Sequence, residues 1–383
     1  MYLTRLWQPL LAVAVLSTTM SSAHAAIETA AKFAYMVDTQ TGTVLLDKES
    51  GIPMNPSSMS KLMTLYVLFE ELKAGNIQLD STFNVSEKAW RMGGSKMFVK
   101  LGEDITIEDL IRGIIVQSGN DACVVVAEGI AGSEEAFANR LNSTAKQIGL
   151  QHSHFVNSTG WPDPEHVMSA QDIATLAKAL ANDFPAYYPY FAENEFTYSG
   201  IKQYNRNRLL GNTLGVDGLK TGHTEVAGYG ISLSAKDVDT NRRVVLVING
   251  LESDSARISE GAKLLSYGLK AFENKVLAKK GRVISSLPVW FGSRKEVTVA
   301  AAEDVIATVS KGGGANNFTA KIKAVTPLEA PIKKGDELGT LMISLPQGDQ
   351  REIPLVATQD IQKATGARWI KKAIYNHLLG ARE

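Results

Sequence analysis

A chain of 383 residues, 44% of them hydrophobic, can bury a large core and is long enough for more than one domain. Forty basic residues balance forty acidic ones, so no net field draws in a polyanion, which argues against nucleic acid as a partner. A single cysteine excludes an internal disulfide, and six histidines with no HExxH and no paired cysteine ligands argue against a metal site or any metal cofactor.

Arg5, the apolar run 10–16 (LLAVAVL) and Ala23-His24-Ala25 form the three parts of a cleavable secretory signal over residues 1–25. The run is well short of the ~20 residues that span a bilayer. Strand patterns at 33–37 and 43–46 flank Asp38-Thr-Gln-Thr-Gly42, which reads as a hairpin turn. Leu62, Met63, Tyr66, Val67 and Phe69 recur at helical spacing, which predicts a helix beginning at or near Ser58, with Pro56 just upstream. Further helices are predicted at 107–116, 121–131, 134–148 and 170–180. Cys123 sits in an apolar run and reads as a buried, inert thiol. His152-Ser-His154 reads as part of a solvated loop before Asn157-Ser-Thr-Gly160.

Strands are predicted at 217–223, 229–234 and 243–249, then a helix at 255–272. With helices lying between an N-terminal hairpin and a later strand set, the order implies one antiparallel sheet built from both ends of a domain, an α+β arrangement. From 276 to 356 short valine- and isoleucine-rich runs alternate with turns such as Lys311-Gly-Gly-Gly314, predicting a small all-β, sandwich-like domain. A last helix is predicted over 361–379. There Trp369, Ile370, Ala373, Ile374, His377 and Leu378 share one side while Lys363, Arg368, Lys371 and Lys372 fall largely elsewhere, a pattern suited to lying on an anionic membrane or, alternatively, to docking on the β-domain. The expected divisions are 1–25 signal, 26–273 catalytic domain, 274–358 β-domain and 359–383 amphipathic segment.

Ser58-Met59-Ser60-Lys61 puts a hydroxyl and an amine three residues apart, one helical turn, on one face. Alone, this is better read as a helix cap. Ser118-Gly119-Asn120 and Lys220-Thr221-Gly222 follow in order, in the loop and strand contexts of active-site serine penicillin-interactive enzymes. Each element alone has a structural reading; three in order make coincidence improbable.

The sequence resembles the low-molecular-mass D-alanyl-D-alanine carboxypeptidases of Gram-negative bacteria, the penicillin-binding protein 5 and 6 group. The resemblance is carried by Pro56-Ser-Ser-Met-Ser-Lys-Leu-Met-Thr64, Gly93-Gly-Ser-Lys-Met97, Gln117-Ser-Gly-Asn-Asp-Ala122 and Val216-Asp-Gly-Leu-Lys-Thr-Gly-His-Thr224. It implies a transpeptidase/β-lactamase-like first domain, a β-domain, and a terminal helix on the periplasmic face of the inner membrane. It further implies that Ser58 is the nucleophile, Lys61 its base, and Ser118 the donor to the departing amine. Asn120 would hold the substrate amide and orient Lys61, and Lys220 and Thr221 would receive the terminal carboxylate. Gly222 would let the substrate backbone approach, and the Ser58 and His223 N–H groups would form the oxyanion hole. Arg206 matches a family arginine near the carboxylate, with a surface salt bridge as the alternative, and Arg257 is a weaker candidate.

The resemblance thus implies an exported enzyme that takes peptidoglycan pentapeptide as substrate and β-lactams as covalent inhibitors, with no cofactor; a monomer is expected. Alternatives on the same fold are a β-lactamase, for which no Glu-x-x-Leu-Asn occurs between Ser118 and Lys220, a D,D-endopeptidase, and a non-catalytic wall-binding scaffold. Glu193 and Glu195 are the acids to examine in that interval.

Overall fold

The computed structural model describes residues 27–311, 319–344 and 350–365. The expected signal segment, the glycines after Lys311 and residues 366–383 of the expected terminal helix lie outside the described residues. The hairpin is β1 (Phe33–Asp38) and β2 (Val44–Lys48). A 3₁₀ turn (Ser57–Ser60) then leads directly into α1 (Lys61–Ala74). Next come β3 (Thr82–Asn84), α2 (Glu87–Arg91), β4 (Asp104–Thr106), α3 (Ile107–Ile115), α4 (Asn120–Ala131), α5 (Glu134–Gln147) and α6 (Ala170–Asp183). The chain continues through β5 (Glu195–Tyr198), β6 (Ile201–Tyr204), β7 (Val216–Thr224), β8 (Gly228–Lys236), β9 (Arg243–Leu251) and α7 (Asp254–Lys270).

The expected sheet from both ends of the domain forms in the order β2-β1-β9-β8-β7, antiparallel throughout. Both faces are covered, and the period of two sorts the side chains. Ala34, Met36, Val244, Leu246 and Ile248 pack against Leu264, Leu265 and Leu269 of α7. Tyr35, Val37, Val245 and Val247 face the helical cluster. At the middle of that cluster, α1 is buried at every position from 61 to 69, and each large apolar side chain there is worth about 1.5–3 kcal/mol over an exposed one. The sheet leaves β7 with one open edge, and that edge faces the site described below.

Differences from the sequence expectations are local. The two small two-stranded sheets β3–β4 and β5–β6 escape prediction because their strands are three or four residues long and mostly exposed. The helix expected to reach 272 stops at Lys270, because Phe272 is buried and starts a strand paired to Ser310.

That strand is β10 (Phe272–Ala278), followed by β11 (Val283–Trp290), β12 (Glu296–Ala301), β13 (Val305–Ser310), β14 (Thr319–Lys323), β15 (Leu328–Glu329), β16 (Glu337–Ser344) and β17 (Gln350–Ala357). Six of these form one sheet, in the order β14-β16-β17-β12-β11-β15, while β10 pairs with β13, around a core including Val297, Val299, Ile353 and Leu355. The terminal helix does not begin at 361 as expected. Ile361 is fully buried and bridges Ile332, and Lys363 bridges Gly292, so this stretch is extended and packed on the β-domain.

One buried ion pair ties the two regions. Asp38 and Arg242 meet at 2.6 Å with side chains 0% and 4% exposed. Asp38 also accepts from the Gln40 and Thr41 amides and from the Asn274 side chain, while Arg242 donates to the Gly268 and Phe272 carbonyls. The pair therefore joins the first hairpin, the end of α7 and the start of β10. Removing one partner of such a pair strands the other charge. Asp38→Ala is expected to lower the unfolding free energy by about 3–5 kcal/mol, read from urea midpoints, whereas Glu87→Ala at the exposed Glu87–Arg91 pair is expected to leave the midpoint in place.

Candidate active site

Ser58 lies in the 3₁₀ turn and Lys61 is the first residue of α1, so one turn separates them. Lys61 Nζ donates to Ser58 Oγ at 2.9 Å and to the Thr159 carbonyl at 2.6 Å. No side-chain cap bond forms at this helix start, which removes the capping account of the serines. Ser57, immediately before, has φ 50, a strained value for a residue with a Cβ and a common mark of functional turns.

Lys61 is fully buried, and no salt bridge reaches it among the described residues. Burial, with the Arg206 guanidinium adding its repulsion, pulls the amine down to about 8. Asp121 lies near but is spent locally. Its carboxylate accepts from the amides of Met97, Phe98, Val99 and Ala122, fixing the 93–99 loop to the start of α4.

Thr159 belongs to Asn157-Ser-Thr-Gly160, which the sequence pattern places after a solvated loop. Here it is the floor of the site. Asn157 Oδ1 accepts from the amides of Thr159, Gly160 and Trp161, which curls the loop so that the Thr159 carbonyl points at Lys61. Gly160 has φ +78, and a Cβ there would stand 2.0 Å from the Ser57 carbonyl oxygen, so only glycine lets this loop press against the serine turn. His166 anchors the far end. Its Nδ1 accepts from the Val156 amide and its Nε2–H donates to Ser60 Oγ at 2.7 Å, an arrangement that needs the neutral ring, and burial pushes its pKa down to about 4.

Ser118 stands between α3 and α4 with φ 58. Its Oγ is buried and makes no hydrogen bond among the described residues. Asn120 opens α4, and its Nδ2 donates to the Gly93 carbonyl at 2.9 Å. It forms no hydrogen bond to Lys61; Ser58 and Thr159 hold the amine.

Lys220, Thr221, Gly222 and His223 lie on β7. Lys220 is buried, and burial followed by the charges of Lys61 and Arg206 drives its pKa well below that of an ordinary lysine. A Cβ at Gly222 would lie 2.9 Å from the Pro56 carbonyl and 3.1 Å from Ser57 Cβ, so the glycine makes room for the serine turn. His223 is exposed and stacks on Tyr229 at 3.8 Å.

Arg257 Nη1 reaches the carbonyls of both Gly222 and its cross-strand partner Gly230, which puts those carbonyls between the two strands. Backbone groups alternate along a strand, so those of Thr221 and His223 turn to the open edge. Arg206 makes no salt bridge among the described residues; its guanidinium donates to Ser95 Oγ at 2.8 Å. Ser58, Ser95, Arg206, Thr221, Gly222, His223 and Arg257 line one cleft of about 420 Å³.

Comparison with known proteins agrees with this geometry. Residues 18–253 match the family model for D-alanyl-D-alanine carboxypeptidase, and residues 272–363 match that for the C-terminal domain of penicillin-binding protein 5. The chain is 37% identical over 336 residues to D-alanyl-D-alanine carboxypeptidase DacC of Escherichia coli K12, covering 86% of this chain and 83% of that one. It is 35% identical to DacF of Bacillus subtilis, covering 90% and 89%. The crystal structure of penicillin-binding protein 5 from Haemophilus influenzae superposes with a TM-score of 0.79 at 33% identity, over 88% of this chain and 99% of that one. A serine–lysine pair at hydrogen-bond distance, the open strand edge beside it and these likenesses agree: the chain belongs to the D-alanyl-D-alanine carboxypeptidase family.

Proposed function

We propose that this chain is a serine D-alanyl-D-alanine carboxypeptidase that removes the terminal D-alanine from peptidoglycan pentapeptide stems, and that β-lactams acylate the same serine, Ser58. The observation that carries the reading is the wholly buried Lys61 amine, 2.9 Å from Ser58 Oγ, with a pKa pulled to about 8. A lysine at its ordinary pKa is charged at neutral pH and accepts no proton; this one is neutral in a useful fraction.

Lys61 Nζ takes the Ser58 proton as Oγ bonds to the carbonyl carbon between the two D-alanines. The carbonyl oxygen becomes the oxyanion, received by the amides of Ser58 and His223, where losing one donor typically costs about 10²–10³ in rate. As the C–N bond breaks, Ser118 Oγ hands a proton to the departing amine and is reprotonated from Lys61, which leaves the ester on Ser58. Water then adds to the ester carbon with Lys61 as base, releasing the shortened peptide and restoring the serine. The unpartnered Ser118 hydroxyl suits this shuttle. Asn120 would hold the substrate amide. Lys220, Thr221 and Arg206 would take the terminal carboxylate, with the Arg206 guanidinium supplying the charge and Lys220 and Thr221 the hydrogen bonds.

Slow release of an acylated drug also fits, because the cleft holds no free acid to activate water among the described residues. Its one carboxylate, Asp254, is bonded to Arg208 and Arg257. Glu193 is spent on Arg112 and Glu195 on Lys202. The signal-like residues 1–25 and the basic amphipathic pattern after 361 support export and a peripheral seat on the outer face of the inner membrane. Among the described residues no helix is long and apolar enough to cross a membrane.

Release of D-alanine from a pentapeptide tests the reading: the wild-type chain is expected to release it, Ser58→Ala not at all, and Lys61→Ala roughly 10²–10⁴-fold more slowly. Because the neutral amine is the active form, kcat/KM is expected to rise with pH through about 8 and then level, falling about tenfold per unit on the acid side. A profile flat from pH 6 to 9 would remove Lys61 as the base.

A further inference from the structure

Asp254, the first residue of α7, joins three parts of the cleft that are distant in sequence. Its Oδ1 accepts from Arg257 Nη2, and its Oδ2 pairs with Arg208 Nη2 at 3.2 Å. Arg208 sits two residues after Arg206, on the segment whose guanidinium reaches Ser95. Arg257, with its side chain 6% exposed, spends Nη1 on the Gly222 carbonyl at 3.2 Å and the Gly230 carbonyl at 3.5 Å. It also lies 5.5 Å from the Tyr229 ring, on which His223 stacks. One carboxylate therefore braces a buried cation that straps β7 to β8 at the residue before the His223 amide.

We propose that Asp254 is a positioning residue for the acyl-transfer step. Through Arg257 it holds the Gly222–His223 edge in register with Ser58, and through Arg208 it ties the Arg206 segment to the same point. The inference rests on the carboxypeptidase reading above. The Arg257 Nε already lacks a hydrogen-bond partner among the described residues, so losing Asp254 leaves the guanidinium with two strand carbonyls and the Tyr229 ring but no anionic partner there. A buried cation so under-partnered turns toward water or toward the substrate carboxylate, and the strand edge loses its strap. Misplacement by about 1 Å can cost about 10² in rate. A competing account is that Asp254 only complements the positive end of α7, behind the Ser253 cap. That role would change thermal stability and leave turnover per competent site untouched.

The test uses the full chain with a pentapeptide substrate, competent sites being counted by the burst of labelling with a fluorescent penicillin. Asp254→Ala is expected to lower kcat per site about tenfold or more while KM moves by less than about threefold, and Asp254→Glu to recover most of the loss. Arg208→Ala, at a side chain 73% exposed and safe for folding, is expected to lower kcat about two- to fivefold, an effect that shrinks with added salt. Unchanged kcat in both alanine variants, or a loss confined to KM, would overturn the inference. Absence of turnover in the wild-type chain would refute the functional reading and this inference with it, whereas wild-type turnover matched by both variants would refute the inference alone.

Discussion

An ammonium group in a protein interior without an anionic partner is costly, and the site is organised around one way of meeting that cost. Lys61 has a hydroxyl on one side and a peptide carbonyl on the other, with no carboxylate bonded to it. A neutral amine satisfies both contacts with its own N–H groups and keeps a lone pair, while the charged form loses its hydration with little in return. Much else in the molecule serves this arrangement. The apolar helix α1 removes the amine from water, the 157–160 loop supplies the carbonyl, and the sheet brings its open edge to the same serine turn.

A neighbouring carboxylate could have undone it. Asp121 is buried close to Lys61, and a direct ion pair would raise the lysine pKa and remove the base. The chain instead commits both oxygens of Asp121 to four backbone amides, so the same charge that threatens the lysine builds the loop bearing Ser95. Lys220 is also buried and pushed toward its neutral form, so the positive charge offered to an anionic ligand is carried by Arg206. The positive-φ residues Ser57 and Ser118 flank this centre, and their strain is held by the packing of α1, α4 and the Gly160 loop.

Much of this was legible in the linear sequence. Period-two and period-3.6 patterning located the sheet strands and long helices to within a few residues, because those elements bury one face or more and so carry a strong signal. Ser58, Lys61, Ser118 and Lys220 stood out because the spacing of three motifs is itself a pattern. Thr159 left no trace, since it acts through its carbonyl, and any residue supplies one. Gly222 carries a constraint that the linear sequence does not show: the atoms that forbid a Cβ there belong to Pro56 and Ser57, far away in sequence. Asp254 carries no mark in the sequence, because its partners Arg208 and Gly222-bound Arg257 meet only after folding. Ile361 was counted on a helix because its apolar spacing fits one, and pairing with Ile332 overrode that local preference.

The most direct measurement is the intact mass and peptide map of the purified chain after exposure to a β-lactam. The account predicts a single long-lived adduct of the drug's mass on the peptide containing Ser58, formed faster as pH rises toward 8. An adduct at another residue, or a chain that neither binds nor hydrolyses the drug, would contradict it.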